Sequence, residues 1–384
     1  MDLASAPHPR PNRTLSLPLL DGLRGIAIFM VFMFHFGDAS GFARIGPIRQ
    51  FLLSGWAGVD LFFVISGFLL TTTIRGKPLD FGGIKRFYIR RLLRIFPLYY
   101  LFTFGFIAAT IAVAFSGFNV RLLNWAEVSF ILTFTQNLPS ALLHSSLPLG
   151  LNHFWSLAVE VQLYVLLPWI LRSKIAVPVL ITGVLVSISA RQISIAWTDD
   201  TSFAYFSTIS RMDGFCLGAL IALHDRLRQW LLNQWLPIVI GAVASLTALM
   251  VSGKLHFDQP AGLVFGIPAF CALFGTAVAH AASADSSPLL RSVLAARILT
   301  FLGTISYGVY VLHYPLLFAM RGVLIKAGFS IGQNFMTDLI FLAAWTAVTI
   351  VLAWLSYRYF ESAFLKMKPR SAGMPQSNKA PAEA

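Results

Sequence analysis

The chain has 384 residues, of which 57% are hydrophobic and only 12% are charged, and its mean hydropathy is +0.73. A soluble domain carries about 25% charged residues, so these values argue against a soluble fold and predict one bundle of membrane helices. The net charge of +13 is expected to set the membrane topology rather than to bind nucleic acid. Cys216 and Cys271 lie in apolar stretches and provide neither a disulfide framework nor a Cys-rich metal site.

Ten stretches are predicted to cross the bilayer, because about 20 apolar residues in a helix cover some 30 Å of hydrocarbon. In chain order they lie near residues 21–36, 52–74, 95–115, 153–171, 175–196, 204–223, 235–252, 259–281, 298–320 and 338–358. Residues 125–138 are too short to span and contain Glu127, Gln136 and Asn137, so they are predicted to be re-entrant or interfacial. The predicted fold class is therefore an all-α polytopic membrane bundle of about ten transmembrane helices.

The distribution of Lys and Arg predicts the orientation of this bundle. Most of them fall in the segments on the side of the N-terminus, which the positive-inside rule assigns to the cytoplasm. Both termini are then cytoplasmic, in a multi-pass protein of the cell inner membrane or plasma membrane. Both ends of the chain are rich in small and polar residues, so 1–14 and 363–384 are predicted to be disordered cytoplasmic tails around a single membrane domain, 15–362.

Two ionisable residues of the first predicted helix share one face. Eleven helical steps of about 100° separate Arg24 from His35, which returns to nearly the same face after a rise of about 16.5 Å. Arg24 then lies near the cytoplasmic surface and His35 lies deeper or toward the outer leaflet, which predicts a polar line through the bundle. Arg24 is also compatible with membrane anchoring, and His35 with either a hydrogen-bonded core histidine or a general base.

The fourth predicted helix places a second polar group on one face, where His153, Ser156 and Glu160 recur at intervals of three or four residues. A carboxylate inside a membrane requires a partner. A histidine on another helix is the most useful partner, because a carboxylate can orient an imidazole and stabilise its charge. Glu160 is therefore predicted to support His35.

Other ionisable residues inside predicted helices are supporting candidates, because each costs at least about 2.5 kcal/mol to insert. Asp60 could orient a histidine in the same way as Glu160, or form a structural ion pair with Arg24 or Arg211. The remaining candidates are Arg211, Asp213 and His313.

The second inner loop carries the basic segment RFYIRRLLRIFPLYY, in which Arg86, Arg90 and Arg94 fall on one helical stripe. Such a stripe either anchors the protein at the membrane surface or docks a phosphorylated cofactor, because guanidinium groups bind phosphate in a fork geometry. No Walker loop, dinucleotide fingerprint or HExxH motif occurs in the sequence, so it gives no support to nucleotide hydrolysis or zinc proteolysis.

Six segments, taken in order, resemble the acyltransferase-3 family of integral membrane acyltransferases. They are LDGLRGIAIFMVFMFHF, GVDLFFVISGFLL, RFYIRRLLRIFPLYY, HFWSLAVEVQLYVLLPW, RMDGFCLGAL and ISYGVYVLHYPLL. The resemblance runs from about Leu20 to Glu361. Its most specific part is the combination of Arg24, His35 and the SLAVE segment that ends at Glu160.

The resemblance implies an enzyme that moves an acyl group, usually acetyl, from cytoplasmic acyl-CoA to a hydroxyl of a sugar. It assigns the family's arginine and histidine to Arg24 and His35, and its carboxylate to Glu160. The family's basic motif falls on Arg91 and Arg94, and His313 falls in its pattern for the ninth helix. The implied partners are acyl-CoA as a co-substrate, a cell-surface or lipid-linked glycan and membrane lipid, with no permanent cofactor, metal or nucleic acid. Larger members carry an extracytoplasmic esterase-like domain, so an extracytoplasmic accessory protein is a further candidate partner.

Two chemistries and two other functions stay open at this point. His35 either deprotonates the acceptor hydroxyl directly, with Glu160 holding its imidazole, or an acyl group rests on His35 or another nucleophile before transfer. Oxyanion donors could come from Arg24, Ser156 or backbone amides. The acceptor could be a small glycoside or antibiotic instead of a polysaccharide or lipopolysaccharide. A proton-coupled transporter or flippase is the alternative from another class, although no internal repeat supports it.

Overall fold

A computed structural model describes residues 17–39, 46–117, 120–148, 150–198, 200–283, 286–329 and 331–369. The predicted tail at 1–14 and most of the predicted C-terminal tail, 370–384, lie outside these residues. The described residues form helices and no strands, which confirms the all-α fold class.

The described residues of the first half of the chain form nine helices. They are α1 Leu17–Ala39, α2 Gly46–Leu53, α3 Gly58–Ile74, α4 Phe81–Phe115, α5 Trp125–Leu132, α6 Asn137–Leu142, α7 Trp155–Arg172, α8 Ala176–Thr198 and α9 Thr201–Phe206. Short 3₁₀ turns at Ser54–Ala57 and Asn152–Phe154 lead into α3 and α7.

The second half adds nine more, and π-helical turns at Gly262–Gly266 and Ser356–Glu361 lead into two of them. They are α10 Thr208–Arg211, α11 Asp213–Leu223, α12 Asp225–Asn233, α13 Trp235–Val251, α14 Ile267–Ala281, α15 Pro288–Leu294, α16 Arg297–Lys326, α17 Phe335–Leu355 and α18 Ser362–Lys366.

Among the described residues, eight helical stretches are long and apolar enough to cross a membrane, or nine if α12 and α13, which meet at 72°, form one span. The protein is therefore a multi-pass membrane protein. The predicted continuous span at 204–223 is wrong, because the chain breaks at Ser207 and Met212 into α9, α10 and α11. Ser207 has extended backbone angles, φ −71° and ψ 136°, and the charged residues beside the second break turn inward to form buried ion pairs.

The basic segment is helical, as its stripe of arginines predicted, and it is continuous with the third predicted span. It belongs to α4, a helix of 35 residues whose first turn is capped by Asp80, whose side chain accepts a hydrogen bond from the Gly83 amide at 2.7 Å. Arginine and leucine are good helix formers, and the helix continues through Pro97, near the end of the segment. The helical repeat turns Arg91 and Arg94 toward the other helices.

The helical structure continues beyond residue 362, the predicted end of the membrane domain. Helix α18 continues to Lys366, with Phe364 against Phe360 at a ring distance of 5.1 Å. Beyond it the carbonyl of Pro369 accepts a hydrogen bond from Nε of Arg90 at 3.0 Å. Contacts of this segment with α4 therefore hold residues 363–369 against the bundle.

Helix α1 lies at the centre of the bundle, between α3 and α16. The close approach of α1 and α16 requires glycine, since a Cβ at Gly303 would stand 1.8 Å from the carbonyl oxygen of Asp21. The two helices run in the same direction, so the start of α16 lies beside the start of α1. This pairing places the part of α1 that carries His35 against the part of α16 that carries His313.

Candidate active site

Helices α1, α3, α4, α7 and α16 surround a cavity, called here the arginine cavity, with an empty volume of about 810 Å³. The polar part of its lining comprises Arg24, Ser66, Arg91, Arg94, Ser156, Glu160, Tyr164, Ser306, Tyr307 and Tyr310.

Three guanidinium groups converge on this cavity. Arg24 pairs with Asp21 at 2.9 Å, and Arg94 lies over the ring of Tyr307 at 6.0 Å. Nε of Arg91 is buried and has no hydrogen-bond partner among the described residues. Nearby, partial burial together with these arginines lowers the pKa of Lys368 to about 8, which reflects an excess of positive charge at this end of the bundle.

Glu160 is the carboxylate in the lining of the arginine cavity. It accepts a hydrogen bond from Oγ of Ser66, which also lies 3.4 Å from the hydroxyl of Tyr164. The predicted support of His35 by Glu160 is therefore not what the structure shows. Glu160 is seven residues beyond His153 on the same helical run, about 10.5 Å further along the axis, and this depth places it beside the arginines.

A second basic cavity adjoins the first at Arg91, which lines both. The other cationic residues of its lining are Lys77, Arg86 and Arg90. All five arginines predicted to bind a cofactor therefore line one or other of two neighbouring cavities. Arg90 also donates to the carbonyl of Pro369, which occupies part of its hydrogen-bonding capacity.

A third cavity, called here the histidine cavity, adjoins the arginine cavity and has an empty volume of about 710 Å³. It is formed around the end of α1 opposite to Arg24. Its lining comprises Val31, Phe34, His35, Asp38, Trp56, Val59, Asn152, His153, Trp155, Tyr205, Phe206, His256, Phe257, Tyr310 and Tyr314.

His35 and His153 of this lining cluster with His313, which is buried behind them. Nδ1 of His35 lies 3.2 Å from Nε2 of His313, and the ring of His153 lies 5.2 Å from that of His313. Nδ1 of His35 faces the carbonyl of Val31 at 2.9 Å, and Nδ1 of His313 faces that of Tyr310 at 2.7 Å. Carbonyl oxygens only accept hydrogen bonds, so both rings carry their proton on Nδ1 and Nε2 of His35 has a free lone pair.

Tyr310 separates the arginine cavity from the histidine cavity, because it and Val59 line both. Its hydroxyl donates to the carbonyl of His153 at 2.5 Å, so it accepts from Oγ of Ser156, also at 2.5 Å. Arg24 and His35 therefore line neighbouring cavities from one helix, and the boundary between those cavities is a tyrosine hydroxyl and a valine side chain.

The remaining charged candidates form a buried structural group. Asp60 pairs with Arg211 at 2.8 Å, which decides between its two predicted partners, and Asp213 pairs with Arg191 at 2.6 Å. The guanidinium of Arg211 also lies 5.1–5.8 Å from three aromatic ring centres, those of Tyr205, Trp155 and Trp56. These ion pairs fix α3, α8, α10 and α11 together, beside the histidine cavity.

Sequence reasoning missed three residues that the structure brings into this region, namely Tyr310, Arg191 and His256. The position of Tyr310, one helical turn before His313, was the available signal, since residues three apart share a face. No sequence pattern indicated the other two. The described residues contain no group of three or more His, Cys, Asp or Glu side chains that could hold a metal ion.

Comparison with known proteins identifies relatives across nearly the whole chain. A Bacillus subtilis protein, YrhL, provisionally named a peptidoglycan O-acetyltransferase, is 28% identical over 90% of this chain and 54% of its own length. The peptidoglycan O-acetyltransferase OatA of Listeria monocytogenes is 26% identical over 91% of this chain and 56% of its own. A Staphylococcus aureus protein provisionally named an O-acetyltransferase is 25% identical over 94% of this chain and 60% of its own.

The chain thus spans little more than half the length of these relatives. No solved structure matches it significantly. The family profile described as an acyltransferase domain matches residues 17–358, which contain α1, the three cavities and the histidine cluster. The chain therefore belongs to the acyltransferase-3 family.

Proposed function

We propose that the protein transfers an acyl group, in the simplest case acetyl, from acyl-CoA in the arginine cavity to a sugar hydroxyl in the histidine cavity. The observation that carries this proposal is the convergence of Arg24, Arg91 and Arg94 on a buried cavity whose described lining contains one carboxylate, Glu160. Buried charges of one sign require a counter-charge, so this cavity fits a ligand with several negative charges.

Acyl-CoA has the matching distribution of charge. Its phosphates suit the second basic cavity, where Lys77, Arg86 and Arg90 lie, and Arg91 joins that cavity to the next. The pantetheine arm can then extend along the arginine cavity, with the thioester at the boundary formed by Tyr310. No permanent cofactor is required for this chemistry.

The distribution of basic residues supports a cytoplasmic location for the arginine end. The donor would then enter from the cytoplasm, while the histidine cavity opens on the opposite side of a plasma or inner membrane. Both chain ends would lie in the cytoplasm. Membrane lipid surrounds the bundle, and acyl-CoA and a glycan are the partners at the two cavities.

The histidine cluster provides the group that activates the acceptor. Nε2 of His35 can accept the proton of a hydroxyl, while His313 supports the ring in the place predicted for Glu160. Acylation of His35 as an intermediate uses the same lone pair, so direct and two-step transfer both fit this geometry. The hydroxyls of Tyr310 and Ser156 lie at this boundary, and they could stabilise an oxyanion there only by exchanging the hydrogen bonds that they donate to the His153 carbonyl and to Tyr310.

The relatives point to the class of acceptor. Two of those named above bear the name peptidoglycan O-acetyltransferase, which supports O-acetylation of a cell-wall or cell-surface sugar by this chain. Family membership favours acyl transfer over the proton transport that buried Asp, Glu and His residues would also permit.

Replacement of His35 tests the proposal. Acyl transfer by His35→Ala should fall by roughly 10²-fold or more, the usual range for a general base, while the binding of acyl-CoA stays unchanged. His280→Ala is the matched control, since His280 lines neither cavity and contacts Trp235. A stably inserted His35→Ala protein that acylates at the parental rate would exclude this mechanism.

A further inference from the structure

Some lining residues of the histidine cavity carry polar atoms that the acyl transfer does not use. Nε1 of Trp56 and Oδ1 of Asn152 are buried atoms of residues that line this cavity, and neither has a hydrogen-bond partner among the described residues. The first only donates and the second only accepts. Buried polar groups are normally paired, so this pair fits a ligand whose groups can both accept and donate hydrogen bonds, as hydroxyls do.

Aromatic rings form a wall of the same cavity. The rings of Tyr205 and Phe257 are stacked with centres 4.4 Å apart, and the ring of Trp155 lies 4.8 Å from that of Tyr205. All three residues line the cavity. Aromatic rings give the cavity an apolar wall for the C–H groups of an otherwise polar ring, which suits a pyranose.

The charge of the lining differs from that of the arginine cavity. The described lining contains no lysine or arginine, and its carboxylate is Asp38. An anionic ligand would therefore find no cation to pair with and would lie near a like charge. The occupant that fits is neutral.

His256 adds a hydrogen-bond acceptor to this lining. Its Nδ1 lies 2.6 Å from Oδ1 of Asp258, which fixes the ring proton on Nδ1 and leaves the lone pair on Nε2. The turn that carries His256 packs closely on the next helical segment, since a Cβ at Gly262 would stand 2.3 Å from the carbonyl of His256. The Asp258 carboxylate and the packing of this turn on the next helical segment thus hold the imidazole in position.

We propose that the histidine cavity is a binding subsite for a neutral pyranose, with the sugar beside the wall of aromatic residues and the hydroxyls bonded to Trp56, Asn152 and His256. The inference rests on the proposed acyl transfer, for which it names the class of acceptor. His256 is a binding residue here, and Asp258 positions it.

Direct binding of oligosaccharides tests this subsite without the donor. The purified full chain in lipid nanodiscs is titrated with chitotetraose, which is neutral, and with tetragalacturonate, which is anionic, and tryptophan fluorescence and calorimetry are recorded. Chitotetraose should bind at least about tenfold more tightly than tetragalacturonate. Asn152→Ala and His256→Gln should each weaken its binding by about tenfold, and Asp258→Asn by less.

A second histidine and aspartate pair provides the matched control. Nδ1 of His144 lies 3.1 Å from Oδ2 of Asp200, but neither residue lines the cavity, so His144→Gln should bind chitotetraose like the parent. No saturable binding of chitotetraose, parental affinity in both cavity variants, or tighter binding of tetragalacturonate would overturn the proposal. Binding of an acyl-CoA analogue to the same samples separates this failure from failure of the proposed function, because the donor occupies the arginine cavity.

Discussion

Replacing Arg91 by glutamine tests the donor site, because Arg91 lines both basic cavities. Its buried Nε lacks a hydrogen-bond partner among the described residues, so the guanidinium is free to bind an anion. A hydrogen bond between charged groups contributes about 1.5–3 kcal/mol. Arg91→Gln should therefore reduce the affinity for acyl-CoA by roughly 10- to 150-fold.

The same substitution should not destabilise the empty protein. Arg24, Arg91 and Arg94 repel one another across one cavity, and removing one of them relieves that repulsion. We expect the thermal stability without ligand to stay equal or to rise. Reduced affinity with undiminished stability distinguishes a ligand-binding arginine from a structural one.

The assay is calorimetric titration with a non-hydrolysable thioether analogue of acetyl-CoA, combined with thermal unfolding without ligand. Arg75→Gln is the matched control, because Arg75 bonds the carbonyl of Ala222 at 2.6 Å and pairs with Asp225 at 3.4 Å, and it lines neither cavity. Its affinity for the analogue should equal that of the parent. An Arg91→Gln protein within twofold of parental affinity, or equal losses in both variants, would refute the reasoning.

Three further predictions concern the scaffold and the histidines. Asp60→Asn should reduce the free energy of unfolding by about 3–5 kcal/mol, because it leaves Arg211 buried without a counter-charge, and a second change, Arg211→Met, should restore part of that loss in detergent unfolding. Gly303→Ala should reduce the free energy of unfolding by at least about 1–3 kcal/mol, because α1 and α16 must separate to admit the methyl group. Gly322→Ala on the same helix, where a Cβ would meet nothing within 4 Å, should not, and equal stabilities of the two variants would contradict the packing. His313→Gln should lower acyl transfer at least about tenfold while donor affinity stays unchanged, and parental transfer would remove this histidine from the site.

Helical geometry predicted the parts of the site that lie on a single helix. The eleven-residue interval between Arg24 and His35 placed both on one face, and both line cavities of the bundle. The basic segment was expected to present a helical stripe, and its arginines do line neighbouring cavities. Periodicity is sufficient here because all the residues concerned share one axis.

Relations between helices were not predictable in the same way. The face of Glu160 was inferred from periodicity, but its depth relative to His35 depends on how α7 slides against α1, and no residue pattern records that offset. The break of the predicted sixth span had a similar cause. Arg211 pairs with Asp60 on α3, and Asp213 pairs with Arg191 on α8. Both pairs are buried, and the chain that carries Arg211 and Asp213 is a broken helix rather than a continuous one.

The central claim is that the donor and the acceptor bind in different cavities on opposite sides of the membrane, with Tyr310 between them. Proteoliposomes test this claim directly. Radiolabelled acetyl-CoA, which does not cross the bilayer, is added outside, and a glycan acceptor is either enclosed inside or added outside. Molecules with the arginine cavity facing outward can use that donor. We expect label on the enclosed acceptor and none on the external one. Label only on an acceptor that shares the donor's side would contradict the claim.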